Sequence, residues 1–230
     1  MDDTVEVIAT RLDVGSEAVR ARGAVLSDAE RQRARRFAFD RDRQRFIIAR
    51  GLLRELLAAR LGVRPEAVEL EYGVYGKPVL APRFAASGLR FNVSHCDDVA
   101  VYAFSSAGDI GVDVEAVRPM PDADDLAARF FSGRENAAYL ALDPRERALG
   151  FFQCWTRKEA FIKALGHGMY HPLDRFDVSL APGEPAELLR VERSPGDRRR
   201  WRVMGFFPAP GFVAAAVAEQ SGNLFVGDTR

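Results

Sequence analysis

Asp113 and Glu115 stand two residues apart in the run Ile110-Gly111-Val112-Asp113-Val114-Glu115. The alternation with Ile110, Val112 and Val114 has the period of a strand, so both carboxylates project from one face and the apolar side chains from the other. Carboxylates held side by side repel and raise each other's pKa, a penalty that a divalent cation between them removes. A small set of hard oxygen donors suits Mg²⁺, which keeps waters and shares a substrate phosphate. A solvated strand face would carry the same two residues. Glu159 and Lys163 form a second pair, at i,i+4 on one helix face. That spacing also makes an ordinary helix-stabilising contact. Here, however, Phe151, Phe152, Trp155, Phe161 and Ile162 make the helix apolar around much of its circumference, which predicts a buried helix. Charges at its edge need partners, and a metal and a phosphate are suitable ones. Ser94-His95, placed at the end of a strand, adds hydrogen-bond donors that fit a phosphate. Lys77, in Gly76-Lys77-Pro78, adds a cation on a rigid turn, and ten Arg lie between Arg31 and Arg60. Carboxylates, Lys and His donors and basic helices are the inventory of a Mg²⁺-assisted displacement at a pyrophosphate.

Composition narrows the alternatives. The 230 residues are 47% hydrophobic and 29% charged, with 33 basic and 33 acidic residues and zero formal net charge. That is a globular composition, long enough for one large domain or two small ones. Nucleic-acid and membrane-surface binders are usually basic, so those partners are not expected. Cys96 and Cys154 are too few for a disulfide framework and lack metal spacing, and each reads as a small buried apolar residue. No apolar run reaches the ~18–20 residues of a membrane span. The start MDDTVEVIAT is acidic, without a secretory core. The expectation is a soluble cytoplasmic protein. Only three of the 33 basic residues are lysine, namely Lys77, Lys158 and Lys163, and all three fall in the segments singled out for chemistry. Lys and Arg are not interchangeable where a compact ammonium is required.

The elements that must position these residues follow from periodicity and punctuation. A strand is predicted over Val5–Leu12. Ser27-Asp28-Ala29-Glu30 is a capping box opening a helix to about Phe37, and a longer helix runs from about Arg43 to Leu61 with Phe46, Leu53, Leu57 and Leu61 on one stripe. Short strands follow at Val68–Tyr72, Leu89–Val93 and Val99–Phe104, the last two joined by the polar link 94–98, and then at Ile110–Val114. Ser132-Gly133-Arg134-Glu135 is a second capping box, 105 residues after the first (132−27), and another long helix covers about Arg147–Leu165, ended by Gly166 and Gly168. Strands are predicted near 176–180, 188–192, 201–206 and 212–218, with surface loops at 181–186 and 194–200. Short helix, long helix and strands follow each box. The expected architecture is α+β, with an internal duplication into two halves, residues 1–108 and 109–230.

In order and spacing, Phe91-Asn92-Val93-Ser94-His95, Ile110-Gly111-Val112-Asp113-Val114-Glu115 and Trp155-Thr156-Arg157-Lys158-Glu159-Ala160-Phe161-Ile162-Lys163 resemble the signature blocks of Sfp-type 4′-phosphopantetheinyl transferases. Tyr75-Gly76-Lys77-Pro78, Arg35-Arg36-Phe37 and the Arg50 region are similar to its earlier blocks, so the resemblance spans about residues 26–177. It implies a pseudo-twofold fold with coenzyme A (CoA) in the cleft between halves, and a monomer where the shorter AcpS-type relatives trimerise. It also implies transfer of the phosphopantetheine arm of CoA to a serine of an apo acyl or peptidyl carrier protein, with release of 3′,5′-ADP. Carried over by position, Asp113, Glu115 and Glu159 would hold Mg²⁺. Glu159 would take the serine proton, directly or through a water. Lys163 would bind the phosphate and stabilise the leaving group. Ser94, His95, Lys77 and Arg50 would contact the CoA phosphates, Pro78 would shape the adenine pocket, and Asp113 would also lie against CoA. One departure is Glu30, where the family often has Lys. Two other readings stay open: a Mg²⁺-dependent phosphotransferase using a nucleotide, which the missing P-loop and kinase motifs oppose, and a CoA-binding module without activity, which the retained Asp113, Glu115, Glu159 and Lys163 oppose.

Overall fold

A computed structural model describes residues 4–73, 76–166, 172–192, 197–219 and 223–228. The expectations placed on Tyr75, Gly168 and residues 194–196 lie outside these. Among the described residues the chain runs β1 (Thr4–Arg11), α1 (Ser16–Ala24), α2 (Asp28–Ala34), α3 (Asp40–Leu61), β2 (Leu70–Tyr72), β3 (Pro78–Leu80), β4 (Arg90–Cys96), β5 (Val99–Ser105) and β6 (Ile110–Ala116). It continues as α4 (Ala123–Phe130), α5 (Gly133–Leu140), α6 (Arg147–Leu165), β7 (Phe176–Val178), β8 (Leu188–Val191), β9 (Trp201–Phe206), β10 (Phe212–Glu219) and β11 (Asn223–Asp228).

Two sheets carry the fold. One has the order β11-β1-β5-β4, antiparallel except for the parallel pair β1–β11, and the other is the antiparallel β6-β10-β9. Alternation decides which faces meet. Val5 and Val7 of β1 and Val99 and Val101 of β5 pack against Ile110, Val112 and Val114 of β6 and Ala214 and Ala216 of β10, forming the layer between the sheets. The opposite faces each take a long helix. Ile48, Leu53 and Leu57 of α3 cover Ile8, Ala100, Tyr102 and Phe104, while Phe161, Ile162 and Ala164 of α6 belong to one core with Val213, Ala215 and Val217. Helix, sheet, sheet and helix thus stack as four layers, an α+β architecture with one α-helix outside each sheet.

The two capping boxes carry equivalent polar pins. Both capping boxes form: the Ser27 amide donates to Glu30 (2.8 Å) and the Ser132 amide to Glu135 (2.8 Å), with the reciprocal bonds at 3.3 and 3.2 Å. Each box glutamate is buried and meets a cation from the following long helix. Arg54 Nε donates to Glu30 (2.5 Å) and its Nη1 to the Pro65 and Val68 carbonyls (both 2.9 Å). Lys158 Nζ donates to both Glu135 oxygens (2.7 and 2.6 Å) and to the Phe176 carbonyl (2.7 Å). The offsets agree to one residue, 135−30 = 105 and 158−54 = 104. Glu30, a departure from the family pattern, is the N-terminal counterpart of a structural pin. Strand β11 pairs with β1 and forms one edge of the four-stranded sheet.

Several element predictions need correction. Strand β4 continues through Ser94 and His95 to Cys96, which pairs with Val99, so the polar link shrinks to Asp97-Asp98, with Asp97 at φ +49°. Pairing with β5 carries the ladder through these polar residues, since strand formation follows the partner and packing more than intrinsic preference. Helix α2 stops at Ala34 and α3 begins at Asp40. Helix α1 was not expected: it has no buried residue and no side-chain cap, so it lacks the apolar period that marks a helix. Helix α4 and strands β3 and β11 were also not expected. The first sits behind Pro119 and Pro121, and the strands owe their form to pairing partners.

Candidate active site

Close approach of α6 to β6 builds the site. Gly111 makes it possible: a Cβ there would overlap the Ala160 carbonyl oxygen and the Ala164 amide nitrogen. Two residues on, Asp113 faces the same helix, where Lys163 pairs with it and Glu159, one turn earlier, lies within reach of its charge. Gly111→Ala is expected to cost about 1–3 kcal/mol through overpacking. It should lower turnover further than that loss of stability explains, because α6 must lift off the strand bearing Asp113. Thermal melting and rate measured on the same preparation test this, and full activity would show that the contact does not register the site.

Asp113 is buried and central. Lys163 Nζ donates to its Oδ1 at 2.7 Å and to Ser94 Oγ at 3.1 Å, and Ser94 Oγ donates to the same Oδ1 at 2.9 Å. Asp113 Oδ2 and Glu159 Oε1 are buried without a hydrogen-bond partner. Burial, then the charge of Asp113, raises the Glu159 and Glu115 carboxyls above the ordinary range, partly offset by Lys163. Glu115 Oε2 lies 3.5 Å from Cys96 Sγ and 3.7 Å from Arg118 Nη1. Both cysteines are free: Cys154 is fully buried, and burial pushes the half-buried Cys96 thiol up to about 11. Among the described residues, no three His, Cys, Asp or Glu side chains converge closely enough to hold an ion by themselves. The two orphaned carboxylate oxygens nevertheless fit a hard cation that takes its remaining ligands from water and a substrate phosphate.

β4 forms the other wall. Asn92 Oδ1 accepts the Val112 amide at 2.8 Å, locking this edge strand onto the free edge of β6. Pleating separates two residues that were expected to act together. Ser94 turns in to Asp113, whereas His95 points to the opposite side and lines a cavity of about 380 Å³ with Arg33, Arg41, Arg45, Asp42 and Asp97. Desolvation, then the charges of Lys163, Arg50 and Arg33, holds the imidazole below its usual pKa. Arg50 lies 3.7 Å from Glu30 and within about 6 Å of the Phe46 and Tyr72 rings, and its Nη1 is buried without a partner. Lys77 Nζ donates to the Lys163 carbonyl (2.6 Å) and the Ile110 carbonyl (3.1 Å), and Pro78 opens β3 opposite Tyr72. The structure thus gathers Asp113, Glu159, Lys163 and Ser94, with Glu115 beside them. Sequence reasoning passed over Arg41 and Arg45 as cavity residues; only the density of Arg from 31 to 60 marked them, and density does not choose among faces. Asn92, quoted within a motif, had no periodic signal for its bridge.

Residues 109–207 match the family model described as the 4′-phosphopantetheinyl transferase superfamily, and residues 16–107 match that of the 4′-phosphopantetheinyl transferase N-terminal region. The chain is 38% identical to 4′-phosphopantetheinyl transferase HetI of Nostoc sp. over 94% of its length and 87% of that relative. It is 33% identical to 4′-phosphopantetheinyl transferase Sfp of Bacillus subtilis over 67% of its length and 66% of that protein. Among solved structures, holo-[acyl-carrier-protein] synthase of Thermotoga maritima aligns with 25% identity and a TM-score of 0.37, covering 47% of this chain and 61% of the other.

Proposed function

This chain belongs to the 4′-phosphopantetheinyl transferases, enzymes that move the phosphopantetheine arm of CoA onto a carrier protein, and we propose that here the reaction runs at the cluster of Asp113, Glu115, Glu159 and Lys163. The observation that carries the reading is the pair of buried, unpartnered oxygens, Asp113 Oδ2 and Glu159 Oε1, beside the Lys163 ammonium. Buried carboxylate oxygens without partners are costly, so their retention points to a ligand. Asp113, Glu115 and Glu159 would hold Mg²⁺, which when bound would neutralise charge on the CoA pyrophosphate.

The chain's own residues supply the rest. Glu159, whose carboxyl is raised by burial and by the charge of Asp113, accepts the proton of the carrier serine hydroxyl. The serine oxygen forms its bond to the β-phosphorus of CoA as the bond from that phosphorus to the bridging oxygen breaks, and 3′,5′-ADP leaves with the electron pair. Lys163, fixed by Asp113 and Ser94, stabilises the charge that develops on the phosphate oxygens. Ser94, His95 and Arg50 contact the CoA phosphates, whereas the Lys77 ammonium is taken up by the Lys163 and Ile110 carbonyls; Arg33 beside His95 adds a cation to that wall, where Arg45 is paired with Asp13 and Arg41 with Asp42. Pro78 shapes the adenine pocket. The enzyme is proposed to act as a cytoplasmic monomer on an apo acyl or peptidyl carrier protein, through halves divided at 108/109. No described helix is long and apolar enough to cross a membrane.

Incubating the protein with an apo carrier, CoA and Mg²⁺ is expected to raise the carrier's intact mass by one phosphopantetheine arm, with 3′,5′-ADP as co-product, and EDTA should abolish the gain. A gain that EDTA leaves intact removes the metal from the reading. No gain on any of several carriers, or a nucleoside diphosphate product, removes the reaction itself.

A further inference from the structure

We propose that Lys77 is a positioning residue for the transfer, holding the main chain of Lys163 against the start of β6 so that the Lys163 ammonium stays on Asp113. The inference rests on the role given to Lys163 above. The chain uses arginine for 30 of its 33 basic residues (33−3), yet keeps three lysines. Two of them sit where one compact ammonium meets several oxygens at a point: Lys158 on Glu135 and Phe176, and Lys163 on Asp113 and Ser94. Lys77 is the third instance. Its ammonium donates to the carbonyls of Lys163 at 2.6 Å and Ile110 at 3.1 Å. A planar guanidinium on a longer stem does not reproduce that convergence.

The two carbonyls belong to the two elements that carry the carboxylates, at the place where those elements touch. Ile110 opens β6 and precedes Gly111, on which α6 rests. Lys163 lies in the last turn of α6, where carbonyls lack intrahelical donors and a cation is favoured by the helix dipole. The Gly166 amide reaches the same carbonyl at only 3.3 Å. One ammonium therefore closes the end of α6 and ties it to β6. It also does so from the N-terminal half, on a turn that is itself constrained. The Gly73 amide donates to the Lys77 carbonyl at 2.9 Å, the Gly76 amide to the Gly73 carbonyl at 2.8 Å, and Tyr72 pairs with Pro78 at the base. Pro78 further restricts the backbone of Lys77. Without the ammonium, the last turn of α6 loses its tie to β6, and the Lys163 side chain loses its register on Asp113 and Ser94.

Lys77→Met and Lys77→Arg, each alone and combined with Lys163→Met, separate this role from direct contact with CoA. Lys77→Met is expected to lower kcat about 10–100-fold, the range of partners that orient an active-site group. KM for CoA should change less than about threefold, because ground-state binding is untouched. In the Lys163→Met background, Lys77→Met should cost nothing more, since its effect passes through Lys163. Lys77→Arg keeps the charge, so it reports on the same role should the Met variant fail to fold; it is expected to fold and remain slow. The proposal is overturned if Lys77→Met weakens CoA binding tenfold at unchanged kcat, which marks a phosphate contact, or if its cost is undiminished in the Lys163→Met background. Wild-type rate in Lys77→Arg also overturns it. Normal turnover in Lys163→Met alone would instead remove the reading of Lys163, a failure distinct from that of Lys77.

Discussion

Glu159→Ala is expected to abolish phosphopantetheine transfer while CoA binding persists. Glu159 Oε1 is buried without a partner, and its carboxyl is raised by burial and by Asp113. Removing it takes away the proposed base, worth on the order of 10²–10⁴-fold by itself, together with a donor for the cation. Because kcat and kcat/KM should fall together, the loss belongs to the transition state. Glu159→Gln sharpens the test, since the amide keeps size and hydrogen-bonding capacity but cannot take a proton. Turnover followed by intact mass, and CoA affinity by calorimetry, are the two measurements. A Gln variant that turns over normally ends the assignment of Glu159 as base.

One residue earlier on the same helix, Lys158→Met should leave the chemistry alone and damage the fold. Its ammonium is completely buried and donates to both oxygens of Glu135 and to the Phe176 carbonyl. Glu135 also accepts the amides of Ser132 and Val178, so this carboxylate stays buried when its cation is removed. Breaking such a pair costs about 3–5 kcal/mol. At roughly 2–4 °C per kcal/mol for a chain of this size, the melting temperature should drop by roughly 6–20 °C. Pairing Lys158→Met with Glu135→Gln should recover part of the loss, because the uncompensated charge is gone. Urea unfolding of the two variants decides the point. A loss below about 1 kcal/mol in the single variant would show that the pin contributes little net stability.

The contrast between these neighbours shows what was legible in the chain. Local geometry was. Period two places Asp113 and Glu115 on one face of β6, and i,i+4 spacing does the same for Glu159 and Lys163 on α6, because backbone geometry alone sets both relations. The capping boxes at Ser27 and Ser132 form as their spacing requires, since every atom involved lies within four residues. Relations between distant segments were not legible. Ser94 and His95 are adjacent in the chain, yet strand pairing with β5 extends the pleat and sends one to Asp113 and the other to the cavity beside Arg33. Lys77, placed by resemblance on a phosphate, has its ammonium on two carbonyls, one of β6 and one of α6. Glu30, a departure from the family pattern, became intelligible only beside Arg54.

The sequence by itself determined which residues share a face and where helices begin, because those follow from dihedral periodicity and local hydrogen bonds. Only the tertiary structure decided which faces meet. That depends on burial summed over both sheets and on one close approach, α6 lying on the bare backbone of Gly111, which brings two separately ordinary charge pairs together at Asp113 and Lys163.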